Sequence, residues 1–137
     1  MPAYVLDASA LTALFQNEPG GPRVRELIDS AIAGEDSIAM AVVNLGEVLF
    51  TLTRRRGASA RREALRLVSQ WPLQLVDATL ELTIQAAILR AGQGMGYMDA
   101  FAAIVARNLR ATLMTTDIAF ERVMQLVNVE FLSRANR

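Results

Sequence analysis

A chain of 137 residues with no cysteine, histidine or lysine, its 14 basic residues all arginine and balanced by 14 acidic ones, is sized for a single domain. Those absences exclude disulfides, thiolate zinc sites, cysteine nucleophiles, Ser-His-Asp triads, Walker-type phosphate loops and Schiff-base lysines, so any catalysis falls to carboxylates. Zero net charge carries no chain-wide signature of nucleic-acid binding, and an apolar fraction of 53% points to some surface covered by a partner.

The chain opens on an apolar run, Ala3 to Leu6, that stops at Asp7. This reads as a buried strand delivering Asp7 to its C-terminal tip, the place where ligands bind in open α/β sheets. A second reading is open: Asp7 or Ser9 caps the helix that Leu11, Leu14 and Phe15 mark over residues 9–16. Pro22 starts another helix, whose apolar stripe of Val24, Leu27, Ile28, Ala31 and Ile32 runs to Gly34. Ser37 to Val43 is a second buried strand. A helix from about Leu45 to Arg56 follows, with Leu45, Val48, Leu49 and Leu52 inward, and Arg54-Arg55-Arg56 at its negative end before Gly57.

Ser59 caps a further helix to about Gln70, Leu73 to Val76 forms a third strand, and the spacing of Leu80, Ile84, Ala87 and Ile88 marks a helix over 79–90. Gly92, Gly94 and Gly96 make a flexible connection to a helix opened by Met98-Asp99-Ala100-Phe101, with Phe101, Ile104, Val105 and Leu109 on one face. Thr112 to Thr115 is a fourth strand, Phe120, Val123 and Met124 sit on a last helix, and Val127 to Leu132 supplies a fifth strand. Strands alternating with helices imply a three-layer α/β/α fold with a central, mostly parallel sheet of four to five strands. No apolar stretch reaches membrane-spanning length, and a soluble protein of the cytoplasm is expected.

In such a sheet the first and fourth strands adjoin where strand order reverses, so Asp7 and Asp117 share a crevice. Glu47 and Asp99, each placed in the first turn of a helix, reach it too. Four carboxylates without lysine or histidine need a cation or protons to neutralise them, and as the cation Mg²⁺ or Mn²⁺ suits hard oxygen ligands while keeping waters for chemistry. A water bound to such an ion attacks a phosphodiester without any histidine. Ser9, Thr115 and Thr116 are placed to steady the carboxylates by hydrogen bonds. Each acid also has a structural explanation: Asn44 and Glu47 have capping-box spacing, Asp99 complements a helix dipole, and Asp117 suits an N-cap. Arg54, Arg55 and Arg56 are candidate phosphate contacts or a solvated helix end. Asp29, Asp36 and Glu63 fall on solvent faces or loops.

The motifs Val5-Leu6-Asp7-Ala8-Ser9-Ala10-Leu11, Val43-Asn44-Leu45-Gly46-Glu47-Val48-Leu49, Asp99-Ala100 and Leu113-Met114-Thr115-Thr116-Asp117, in that order, resemble a PIN-domain ribonuclease of the VapC toxin type. The resemblance spans the chain as one PIN-like domain, 1–137. It implies that Asp7, Glu47, Asp99 and Asp117 are the acidic metal-binding set, with Ser9 or Thr115 in support. It further implies Mg²⁺-dependent endonucleolytic RNA cleavage leaving a 5′-phosphate and a 3′-hydroxyl, a homodimer, and a VapB-like antitoxin that blocks the site. One departure stands out: where many relatives carry a serine shortly before the third acid, this chain has Gly96-Tyr97-Met98. A non-catalytic PIN-like module binding RNA or protein is the alternative. A phosphatase or receiver domain is disfavoured because both use a lysine near the phosphate.

Overall fold

The computed structural model describes residues 3–134. Strand β1 (Ala3–Leu6) passes through Asp7 into helix α1 (Ala8–Phe15), followed by α2 (Gly21–Ile32). Strand β2 (Ser37–Ala41) runs straight into α3 (Val42–Arg56), then α4 (Ala58–Gln70) and β3 (Leu73–Val76). Helices α5 (Leu80–Gln93) and α6 (Tyr97–Asn108) precede β4 (Thr112–Thr115), and a 3₁₀ helix (Ile118–Val123) leads to β5 (Asn128–Phe131).

The strands pair in parallel in the order β3-β2-β1-β4-β5. The chain therefore builds outward on one side of β1 and then returns to lay β4 and β5 on the other. Strand order reverses between β1 and β4, with Leu6 opposite Met114. The next residues, Asp7 and Thr115, emerge side by side, and the Asp7 N–H donates to the Met114 carbonyl at 3.2 Å.

Alternation along the strands sets the layers. Val5, Ala39, Ala41 and Leu113 face a core shared with α5, α6 and the 3₁₀ helix, while Leu6, Ile38, Met40 and Met114 face α1 to α4. Because both faces are covered, the strands read as continuous apolar runs. Helix α6 is buried at every position from Ala100 to Ala106, four of them alanine, which lets it lie close against the sheet.

Several sequence expectations shift. The β-branched Val42 and Val43 read as strand, yet α3 begins at Val42, because Asn44, Leu45, Val48 and Leu52 bury along one helical stripe and packing overrides local propensity. Asn44 is therefore inside the helix rather than its cap, Ala41 holds the N-cap without a side-chain acceptor, and Glu47 lies in the second turn rather than the first. Ser59 is not a cap either: Gly57 ends α3 and starts α4 at φ +86°, a conformation that requires glycine. The Leu80, Ile84, Ala87 and Ile88 stripe faces outward, with Leu80 77%, Ile84 49% and Ile88 68% exposed; α5 buries Leu82, Ala86 and Leu89 instead. Leu109 and Met124 are likewise exposed, and the last helix is a 3₁₀ helix.

Two glycines separate close packing from open space. A Cβ on Gly21 would stand 2.8 Å from the Ala13 carbonyl oxygen, whereas a Cβ on Gly46 would meet nothing within 4 Å. Gly21→Ala is expected to force α1 and α2 apart at a cost of about 2 kcal/mol, while Gly46→Ala gains about 0.5–1 kcal/mol. Denaturant unfolding of both variants checks the opposite signs.

Candidate metal centre

Asp7 is the N-cap of α1, and its carboxylate is buried where the β1 and β4 tips meet. Its Oδ1 accepts the Ser9 hydroxyl at 2.7 Å and the Ala10 N–H at 2.8 Å, and its Oδ2 accepts the Thr115 hydroxyl at 2.5 Å. Each hydroxyl in turn accepts a backbone N–H: Ser9 Oγ from Thr116 at 2.9 Å and Thr115 Oγ1 from Asp117 at 3.0 Å. The two loops leaving β1 and β4 are thus stitched together through one carboxylate. Thr116 joins through its backbone, not its hydroxyl. The capping and site readings of Asp7 are compatible, since the cap uses only part of the carboxylate.

Asp117 is the N-cap of the 3₁₀ helix, its Oδ1 accepting the Ala119 N–H at 2.9 Å. Asp99 lies in the first turn of α6, behind an N-cap, Gly96, that offers no side chain. A Cβ on Gly96 would stand 3.4 Å from Asp99 Oδ2, so the Gly96-Tyr97-Met98 approach leaves that carboxylate uncrowded. Glu47 is half-buried on α3, with Oε1 accepting the Asn44 Nδ2 hydrogen bond at 3.0 Å.

Asn44 is the member that sequence reasoning placed wrongly. Its side chain is buried, and Nδ2 donates both to Glu47 and to the Met98 carbonyl at 3.0 Å, bridging α3 to the residue before Asp99. Both partners are acceptors, which fixes the amide orientation and leaves Asn44 Oδ1 buried without a partner. The available signal was an amide in the apolar run Val42-Val43-Asn44-Leu45.

The acids feel one another. Burial pushes the Asp7 carboxyl up to about 6 despite its three donors, with a smaller push from the Asp99 charge. Burial, then the charges of Asp117 and Glu47, push Asp99 up to about 6 as well. Among the described residues no ion pair involves any of the four. No three acidic side chains there stand close enough to grip one ion directly. The donor set still fits Mg²⁺ or Mn²⁺, since Mg²⁺ keeps most of its waters and needs only one or two direct carboxylates. Arg54, Arg55 and Arg56 lie outside the cluster, with Arg54 about 10 Å beyond Glu47 along α3. A surface cleft of about 590 Å³ lined by Leu14, Asn17, Glu18 and Arg25 contains none of Asp7, Glu47, Asp99 and Asp117.

Comparison with known proteins places the fold. The PIN domain family profile matches residues 4–126. No curated protein sequence matches the chain. Among solved structures, VapBC2 from Rickettsia felis bound to a promoter DNA fragment is similar with a TM-score of 0.73 and 20% identity, over 96% of this chain and 99% of that one. DNA-bound VapBC from Salmonella typhimurium gives a TM-score of 0.74 and 17% identity, over 95% and 98%. Mycobacterium tuberculosis VapC20, a sarcin-ricin loop cleaving toxin, gives a TM-score of 0.71 and 20% identity, over 86% and 92%.

Because burial and neighbouring charges push the folded Asp99 carboxyl up to about 6 from its ordinary 3.8 in the unfolded chain, the fold holds extra protons between about pH 4 and 6, and stability falls as pH rises through that window. Asp99→Asn removes the charge. The variant is expected to melt about 3 °C higher than the parent at pH 7.5, a gain of about 1 kcal/mol after discounting for partial exposure, and to match it near pH 4. Thermal melts at both pH values check this.

Proposed function

We propose that this chain, which belongs to the PIN domain family, is a metal-dependent endoribonuclease acting in the cytoplasm as the toxin of a VapBC-type pair. The observation that carries the reading is a mutually repelling set of carboxylates at the strand-order switch point, Asp7 buried and Glu47, Asp99 and Asp117 half-buried, paired with no cation among the described residues. An acidic crevice repels RNA unless a divalent ion intervenes.

In this reading Asp7, Asp99 and Asp117 hold Mg²⁺ or Mn²⁺, and Glu47 holds a second ion or orients the attacking water. The bound ion supplies Lewis acidity and a water of lowered pKa. Ser9 and Thr115 fix the Asp7 carboxylate, and Asn44 fixes Glu47 relative to the first turn of α6. Cleavage by in-line attack leaves a 5′-phosphate and a 3′-hydroxyl, and Arg54, Arg55 and Arg56 meet flanking phosphates. A VapB-like antitoxin as partner is supported by similarity to VapBC complexes. A homodimer is supported by the outward stripe of Leu80, Ile84 and Ile88, apolar surface that self-association would cover.

Purified protein is expected to cleave RNA with Mg²⁺ or Mn²⁺, to lose activity with EDTA, and to lose at least a hundredfold on Asp7→Asn. Mn²⁺ is expected to raise the melting temperature of the parent and not of Asp7→Asn. Cleavage by the variant at the parent's rate, or cleavage in EDTA, sinks the assignment. RNA binding without cleavage and without Mn²⁺ stabilisation identifies the non-catalytic module instead.

A further inference from the structure

Beyond Glu47, helix α3 carries two side chains that take no part in the core. Positions 47, 50 and 54 fall at i, i+3 and i+7, so Glu47, Phe50 and Arg54 follow one another along one helical face. The Phe50 ring is 60% exposed, against 37% for Phe131, the next most exposed aromatic among the described residues, and it belongs to none of the apolar clusters. The Arg54 guanidinium lies over that ring, 5.6 Å from its centroid. Arg54 is itself exposed and has no carboxylate partner among the described ion pairs.

Next to Glu47, and one turn before Phe50, stands Gly46. It is exposed, and no neighbour within 4 Å explains the missing side chain. A helix-interior glycine is unfavourable unless something needs the room. Here it leaves a clear strip of backbone beside the acid and the ring. Along the helix axis Phe50 lies about 4.5 Å and Arg54 about 10 Å past Glu47, the scale of a nucleotide or two.

We infer that Phe50 and Arg54 form a stacking subsite for an unpaired RNA nucleotide flanking the phosphodiester cut at the acidic centre. The inference rests on the nuclease reading above and assigns one base flanking the cut to this face of α3. A base has two π-faces, and a phenyl–guanidinium stack accepts one of them as a further layer without reading its identity. In a duplex those faces are covered by neighbouring bases. The outward N–H groups of Arg54 remain free to meet the next phosphate.

The test measures binding of a short fluorescein-labelled single-stranded RNA with Ca²⁺ in place of Mg²⁺, for the parent, Phe50→Leu, Phe50→Trp and Arg54→Gln. Phe50→Leu is expected to weaken binding about tenfold, Phe50→Trp to retain it, and Arg54→Gln to lower the salt slope by about one. An abasic site at the stacked position should cost the parent the same factor and cost Phe50→Leu nothing further. Melting temperature and Mn²⁺ affinity should not move, since the ring is outside the core and the acidic set. If the parent binds and cuts RNA and Phe50→Leu does both equally well, the inference is overturned while the nuclease reading stands. If Phe50→Leu changes only self-association in sedimentation, the ring is a protein contact and the inference is likewise overturned. If the parent neither binds nor cuts RNA, both fall together.

Discussion

The parallel pairing of β1 with β4 is the constraint on which the rest depends. It sets two strands that are distant in sequence tip to tip, with Leu6 beside Met114, so a buried carboxylate and a buried hydroxyl meet at the sheet's end. Parallel neighbours need long crossovers, and the intervening helices are those crossovers. They bring Glu47 and Asp99 toward the same end, each on a helix packed against the sheet. Asp7 is tolerable there because every donor within reach, two hydroxyls and one backbone N–H, is turned toward it.

Charge is distributed unevenly, although the chain is neutral overall. Arginines are matched with acids away from the centre: Arg23 binds Glu26 and, through two nitrogens, Glu130 of β5, and Arg66 binds Glu63. None reaches Asp7, Glu47, Asp99 or Asp117 among the described residues. The centre is consequently a place where stability is surrendered at neutral pH, and under the proposed function a bound cation would restore it. Functional sites commonly carry such local cost.

Strand and helix order, the β1–β4 adjacency and the places of Asp7 and Asp117 just past their strands were legible in the sequence, because short apolar runs ending in acids are dictated by strands buried on both faces; Glu47 sits one turn deeper in its helix than its spacing suggested. Asp7 shows why a single residue stayed ambiguous: it is both a cap and a member of the acidic set, and sequence spacing cannot separate two uses of one carboxylate. The α5 stripe marked a helix correctly, but apolar spacing does not say which of its two apolar faces meets the sheet. The bridging role of Asn44 was hidden by the same override that hid the start of α3, and because its second partner, the Met98 carbonyl, lies far along the chain. Phe50 was missed because an exposed ring and a core ring are identical letters.

The hydroxyl pair around Asp7 has a further consequence in its lone pairs. A carboxylate presents about four acceptor directions. Oδ1 spends both of its own on Ser9 and Ala10, and Oδ2 spends one on Thr115. One direction is left, on Oδ2. Chelation through both oxygens is thereby closed off without rearranging the α1 cap, and whatever approaches Asp7 is met by a single, directionally fixed point of contact.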